Sequence, residues 1–273
     1  MRSMSFVLPI CFISAAATAD STIIPNAAAT TAGSGGYSTL LNAGARSYQL
    51  VVGPAELSSI PAGSQITGIA WRRPTWQVFA NWPGATTCTF NNYDITLSTS
   101  NRAPGSLSTT YTDNIGADAV LCRFGPLSLT GAFFPGGQLT PNTNPFGTTI
   151  SFSAPYTYTG GMLLLTVRHS GNNCGGSGSL DTVGSANCQA TGVSSYTQAD
   201  SWYAQGPIVM KLEFTPPSSC PADFNGDEIV DFFDYLDFVD AFSSNAPNAD
   251  FNGDGIIDFF DYLDFVDAFS LGC

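Results

Sequence analysis

Between residues 37 and 214 the apolar positions come in short runs broken by turn residues, with no helical period of useful length. The runs Tyr48–Val52, Gln65–Trp71, Tyr93–Ser98, Ala119–Phe124, Thr148–Ser153, Met162–Arg168 and Ile208–Phe214 read as strands. Gly, Pro, Asn and Ser clusters such as Pro135–Gly137 and Ser170–Ser179 separate them. Many short strands with such turns predict a mainly β fold, a jelly-roll-like β-sandwich over residues 37–214. Residues 20–36 are rich in Ala, Thr, Gly and Ser and predict a flexible N-terminal segment. Residues 215–219 (Thr-Pro-Pro-Ser-Ser) read as a short stiff linker. Beyond the linker the pattern changes to two near-identical units, each an acidic stretch followed by a helix-length amphipathic one. They predict a small α-helical module over residues 220–273.

The first residues add a compartment. Arg2, an apolar stretch to about Ala16 and the small-x-small triplet Ala17-Thr18-Ala19 read as a secretory signal peptide over residues 1–19. No later run is long enough to span a bilayer, so the mature chain is expected to carry no transmembrane segment. With Cys11 lost in the signal, six cysteines remain: Cys88, Cys122, Cys174, Cys188, Cys220 and Cys273. An even number in an exported chain predicts disulfides. Of the possible connectivities the simplest is sequential, Cys88–Cys122, Cys174–Cys188 and Cys220–Cys273.

Charge sharpens the division. All eight Lys and Arg, and eight of the 21 acids, precede residue 220; the other thirteen acids lie in residues 220–273 with no base. The formal charge of −13 is therefore entirely the tail's, which excludes a basic nucleic-acid binder. Residues 222–244 and 249–271 repeat at an offset of 27 and differ at only three positions. Each copy begins D-x-N-x-D-x-x-x-D-x-x-D, placing oxygen side chains at loop positions 1, 3, 5, 9 and 12 and a backbone carbonyl at 7. A hard cation needs six to eight oxygens around one point, and this spacing winds a chain about it. The ligands expected for two calcium ions are Asp223, Asn225, Asp227, the Ile229 carbonyl, Asp231 and Asp234, then Asp250, Asn252, Asp254, the Ile256 carbonyl, Asp258 and Asp261. Loop position 6 favours left-handed geometry; Gly255 suits it, whereas Glu228 costs about 1 kcal/mol, so the first loop is expected to bind more weakly.

The single helix after each loop, the Asp at position 12 and the terminal Gly272-Cys273 make residues 220–273 similar to the dockerin family, and to its GC-type anchors of bacterial surface proteins. The resemblance implies calcium-dependent, noncovalent attachment to a cohesin-like module or another scaffold or envelope protein. It also implies partner recognition at loop positions 10 and 11, here Phe232-Phe233 and Phe259-Phe260. These replace the small hydroxyl and basic residues common there. Some dockerins clasp their termini, which Cys220–Cys273 would do. At 100° per residue, Phe232, Tyr235, Leu236, Phe238, Val239 and Phe242 share one broad face that is expected to be buried between two antiparallel helices related by a pseudo-twofold axis.

The larger part offers thin chemistry. His169 is the only histidine, and no G-x-S-x-G, H-E-x-x-H or Gly-rich phosphate loop occurs. Glu56, Asp94, Asp113, Asp118, Asp181, Asp200 and Glu213 supply carboxylates, but no local signature selects a glycosidase pair, so no catalytic residue is assigned. The cluster Trp71-Arg72-Arg73-Pro74-Thr75-Trp76, followed by Trp82, suits either sugar stacking or core packing, and alternation favours a buried Trp71. The expected function is that of a secreted, noncatalytic, cell-surface or matrix protein anchored through its tail. A carbohydrate-binding sandwich delivered by the same tail is the alternative, with a polysaccharide hydrolase ranked behind both.

Overall fold

A computed structural model describes residues 19–33, 35–76, 81–136, 143–196, 203–217, 220–227 and 229–272. The expected signal peptide, apart from Ala19, lies outside the described residues, as do Asp200, Ser218–Ser219, Glu228 and Cys273. The described chain forms two units, residues 19–217 and residues 220–272. No helix among the described residues is long and apolar enough to cross a membrane.

The first unit is mostly β. Its fourteen described strands are β1 (Asp20–Ile24), β2 (Gly35–Tyr37), β3 (Arg46–Val52), β4 (Gln65–Trp71), β5 (Trp82–Phe90), β6 (Tyr93–Thr99), β7 (Val120–Arg123), β8 (Leu127–Phe134), β9 (Ile150–Thr157), β10 (Leu163–His169), β11 (Leu180–Thr182), β12 (Cys188–Val193), β13 (Tyr203–Gln205) and β14 (Met210–Thr215). A four-stranded sheet runs β1-β14-β4-β9 and a six-stranded sheet β13-β12-β3-β10-β6-β7; β11-β2 and β5-β8 form two smaller ribbons. Every pairing is antiparallel. The runs richest in Leu and Val, in β3 and β10, take the interior of the six-stranded sheet and are buried on both faces. Alternation in β14 (Met-Lys-Leu-Glu-Phe-Thr) buries Met210, Leu212 and Phe214 while Lys211 and Glu213 face outward. Inward residues of the two large sheets, among them Ile66, Ile69, Trp71 and Leu212 from one and Tyr48, Leu50, Ile95, Leu165 and Val167 from the other, belong to one apolar core.

All seven expected strands are present within a few residues of their expected ends. The expected loose segment 20–36 is corrected at both ends: residues 20–24 are β1, paired along its length with β14, and Gly35 and Gly36 belong to β2, paired with β11. Two features that composition hides explain the first of these. Ile24 is fully buried, and the buried Arg72 holds the segment that follows. Arg72 Nη1 donates to the Ala28 carbonyl and Nη2 to the Thr31 carbonyl, both at 2.8 Å, while Nε bonds the buried Asp181 carboxylate at 2.9 Å.

The sequential disulfide pairing is also corrected. Cys88 on β5 bonds Cys174 across a Cα–Cα distance of 5.2 Å, leaving Cys122 and Cys188 as buried free thiols. The segment after β10 lies against β5: Asn173 N–H donates to the Thr89 carbonyl, Thr89 N–H donates to Asn173 Oδ1, and Phe90 bridges Asn172. Sheet pairing thus sets residue 174 beside residue 88. Cys122 stays on β7 and Cys188 opens β12, each buried within the sheet. Cys220 is disulfide-bonded.

The second unit holds α1 (Phe232–Ser243) and α2 (Phe259–Leu271). Asp231 and Asp258 cap them, with Asp234 and Asp261 completing reciprocal capping boxes. Phe238 and Phe265, equivalent positions of the repeat, stack at 4.0 Å with planes 6° apart, and the Tyr235 and Tyr262 hydroxyls meet at 3.0 Å. Tyr235 also meets Phe269 near the end of α2, while Tyr262 meets Phe242 near the end of α1. Each cross-contact has its counterpart at an offset of 27, which is the signature of two antiparallel helices about a pseudo-twofold axis. Phe224 and Phe251, one from each loop, set their edges against Phe238 and Phe265.

The buried stripe is narrower than expected. Phe232 is 64% exposed and Leu236 44% exposed. A helix with one helical neighbour covers only the line through positions 235, 238 and 242; residues 232 and 236 flank it. Phe232 stacks on Tyr235 and Phe259 on Tyr262, at the rim of the core.

Candidate cation loops and docking surface

Both acidic loops are wound by their own side chains. In the first, Asp223 Oδ1 accepts the N–H groups of Gly226 and Asp227, Asn225 Oδ1 accepts that of Asp227, and Asp227 Oδ1 that of Ile229. In the second, Asp250 accepts from Gly253 and Gly255, Asn252 from Asp254, and Asp254 from Ile256. These are turns of the kind in which a short polar side chain bonds backbone two to five residues on. Gly226 and Gly253 at position 4 have φ of +76° and +75°, and Gly255 at position 6 has +86°. Position 4 is therefore a second left-handed site, legible as the repeated Asn-Gly-Asp.

The position-12 carboxylates close the loops. Asp234 Oδ1 accepts Asn225 N–H at 3.1 Å and Oδ2 accepts Asp231 N–H at 2.8 Å. Asp261 accepts Phe251 and Asn252 N–H through Oδ1 and Asp258 N–H through Oδ2. Both residues are fully buried. Desolvation pushes the Asp234 carboxyl up, but the N–H groups of Asp231, Asn225 and Phe224 outweigh it and hold it below the usual range. Asp261 is held low above all by the Asp258 N–H. Both are therefore anionic at neutral pH.

Asp, Asn, Asp, a carbonyl, Asp and Asp form an all-oxygen donor set, and its chemistry fits calcium. Among the described residues no three acidic, cysteine or histidine side chains converge on one point; the loop carboxylates accept backbone N–H groups instead. A bound cation would draw the position 1, 3, 5 and 9 side chains inward against those bonds. No Lys or Arg is present in the tail to neutralise its acids.

Beside the loops stand two matching apolar sets. Ile229, Phe232, Phe233 and Leu236 are 62%, 64%, 63% and 44% exposed, and Ile256, Phe259, Phe260 and Leu263 are 63%, 63%, 65% and 45% exposed. The four phenylalanines expected at the partner surface all face solvent. Sequence reasoning missed Leu236 and Leu263, which it placed on the buried face, and read Ile229 and Ile256 only as carbonyl donors. The signal available for the leucines was their one-turn spacing from Phe232 and Phe259.

In the β unit the candidate carboxylates are dispersed. Glu56 accepts Asn26 N–H and the Ser185 hydroxyl; Asp94 accepts Gly125 N–H and the Tyr196 hydroxyl; Asp113 accepts the Ser108 hydroxyl. Asp118 accepts from Thr99 and Tyr156, Asp181 pairs with Arg72, and Glu213 pairs with Lys211. None of them shares a described hydrogen-bond partner with another.

His169 is a core residue. Its Nε2 donates to the Thr39 carbonyl at 2.7 Å, its Nδ1 accepts Gly171 N–H, and its ring stacks on Tyr93. Burial pushes its pKa down to about 4. Of the tryptophans, Trp71 is buried as expected, Trp76 is 51% exposed, and Trp82 packs on Phe134.

No protein-family model matches the chain, and no curated protein does.

Proposed function

We propose that the tail is a calcium-dependent, dockerin-like docking module and that the chain is a secreted, noncatalytic surface or matrix protein held by it. Two large sheets with a common core support a β-sandwich reading of the cargo. The observation that carries the docking role is the pair of exposed apolar sets beside the loops. Monomeric surfaces seldom present four large apolar side chains together, and here the grouping occurs twice with the same residues. Phenylalanine on a rigid helix is a favourable interface anchor, since few rotamers are lost on contact. The partner is a cohesin-like or other scaffold or envelope protein with an apolar surface to match.

Calcium would be held by Asp223, Asn225, Asp227, the Ile229 carbonyl, Asp231 and Asp234, and by their counterparts Asp250 to Asp261. It supplies positive charge where thirteen acids otherwise repel one another. Because Asp231 and Asp258 are both loop oxygens and helix caps, ordering of each loop is coupled to the first turn of its helix, which carries the phenylalanines.

The test uses the full secreted chain as bait against the producing cell's envelope fraction. Capture with calcium, lost on chelation and lost in the folded Phe233→Ala plus Phe260→Ala variant, supports the reading. Capture indifferent to calcium and to both phenylalanines refutes it. A calcium titration that leaves circular dichroism and melting temperature unchanged refutes the metal part independently.

A further inference from the structure

The outer face of the six-stranded sheet carries a cleft that the anchor reading does not use. Alternation along β6 and β10 sends Ile95, Leu97, Leu165 and Val167 into the core. It sends Asp94, Thr96, Thr166 and Arg168 to the other side. Leu107 and Ile115 cover part of that face by packing against Val51 and Leu164. Between this cover and β7 remains a cavity of about 240 Å³, lined by these four outward residues with Ile115, Leu121 and Tyr196. At roughly 30 Å³ per water it holds about eight water volumes, the size of one sugar ring.

Its unusual member is Arg168. The register sets Arg168 opposite Asp94, where an ion pair is the ordinary outcome. No such pair forms; Asp94 Oδ1 instead accepts Gly125 N–H at 3.1 Å and Oδ2 accepts the Tyr196 hydroxyl, one bond on each oxygen. Arg168 makes no ion pair or side-chain hydrogen bond among the described residues, and its Nε is buried without a partner. An unsatisfied buried donor is costly, and the contrast with Arg72, each of whose three guanidinium nitrogens donates to a partner, is direct.

We propose that this cleft binds one hexuronate residue, a monosaccharide ring bearing a carboxylate. The Arg168 guanidinium would take the carboxylate, for which its planar fork is suited. Thr166 Oγ1 already accepts Gln49 Nε2 at 3.1 Å, so its proton is left for a ring hydroxyl. Thr96 offers a second hydroxyl, and Asp94 a carboxylate that can accept from sugar O–H. Leu121, 48% exposed, and Ile115 supply apolar surface for the C–H face of the ring. One cation beside one anion suits a monoanionic ligand; a phosphorylated sugar, at about −1.5 to −2 near neutral pH, would set more negative charge against Asp94. The assignment is independent of the tail, so it stands or fails apart from the docking reading.

The experiment is a titration of the full chain, followed by NMR or calorimetry, with sodium D-glucuronate, D-glucose and sodium acetate in parallel. Saturable glucuronate binding is expected, at least tenfold tighter than glucose or acetate. Arg168→Gln should weaken it at least tenfold and Arg168→Lys by less, with unchanged circular dichroism. Should Arg168→Gln fail to fold, Leu121→Ala decides: it should weaken glucuronate several-fold and leave the response to acetate unchanged. Absence of saturable glucuronate binding, equal binding of glucose or acetate, wild-type affinity in folded Arg168→Gln, or an indifferent Leu121→Ala overturns the proposal.

Discussion

Phenylalanines on the same two helices are assigned opposite roles, and truncation distinguishes them. Phe238 and Phe265 are fully buried, stack on each other at 4.0 Å, and receive the edges of Phe224 and Phe251. Replacing either by Ala removes a whole ring from a site with little room to collapse, at a cost of about 3–5 kcal/mol. A unit of roughly fifty residues has about 3–8 kcal/mol of stability in total. Phe238→Ala or Phe265→Ala should therefore leave the helices close to unfolding. Phe233 and Phe260 are 63% and 65% exposed, and their truncation should cost no more than about 0.5 kcal/mol. The assay is amide hydrogen exchange by mass spectrometry on the full chain with calcium, read on peptides covering α1 and α2. Phe238→Ala should lower protection there by about a hundredfold or more, while the β unit is unaffected. The pseudo-twofold axis adds a constraint: Phe238→Ala and Phe265→Ala should match closely, since each loses the equivalent set of contacts. Equal losses from Phe233→Ala and Phe238→Ala would refute the division into core and docking face. A large difference between the two core variants would refute the symmetry.

Two further outcomes concern the β unit. Because burial lowers the His169 pKa to about 4 against an ordinary 6.5, the unfolded chain takes up a proton between those values that the folded chain does not. Stability should thus fall as pH drops from 6.5 to 4, by at most about 3 kcal/mol from this residue; an NMR titration showing the imidazole protonating near 6.5 would contradict its placement. Non-reducing peptide mapping should recover Cys88 linked to Cys174, with Cys122 and Cys188 alkylated only in denaturant, since burial raises these thiols to about 11 and about 12. Closing a separation of 86 residues stabilises by about 4–5 kcal/mol in the chain-entropy model, so reduction should lower the urea midpoint markedly; recovery of Cys88–Cys122 instead would refute the sheet register behind the pairing.

Local patterns in the chain were enough for whatever depends on near neighbours. Seven strands followed from short apolar runs, because an extended chain exposes its alternation directly. The duplicated loops and the left-handed Gly255 followed from spacing alone, since every hydrogen bond that winds the loops lies within about ten residues; the left-handed Gly226 and Gly253 and the capping role of Asp231 and Asp258 emerged only with the folded backbone. The antiparallel, pseudo-twofold pairing of the helices followed from the repeat, because identical apolar faces bury each other best symmetrically.

Whatever depends on which distant segments meet was decided by tertiary structure. Cys88 found Cys174 rather than Cys122 because β5 lies against the segment after β10. Residues 20–24 became a strand because β14 offered an edge and Arg72, about fifty residues on, took the carbonyls that follow. Phe232 and Leu236 stayed outside because one neighbouring helix covers only a narrow line, a limit that hydrophobic periodicity does not express. Arg168 stands opposite Asp94 without pairing with it, while Asp94 bonds Gly125 and Tyr196, 31 and 102 residues away. Spacing along the chain records which residues can share a turn or a face; only the packed sheets and helices determine which of those faces remain open to a ligand or a partner.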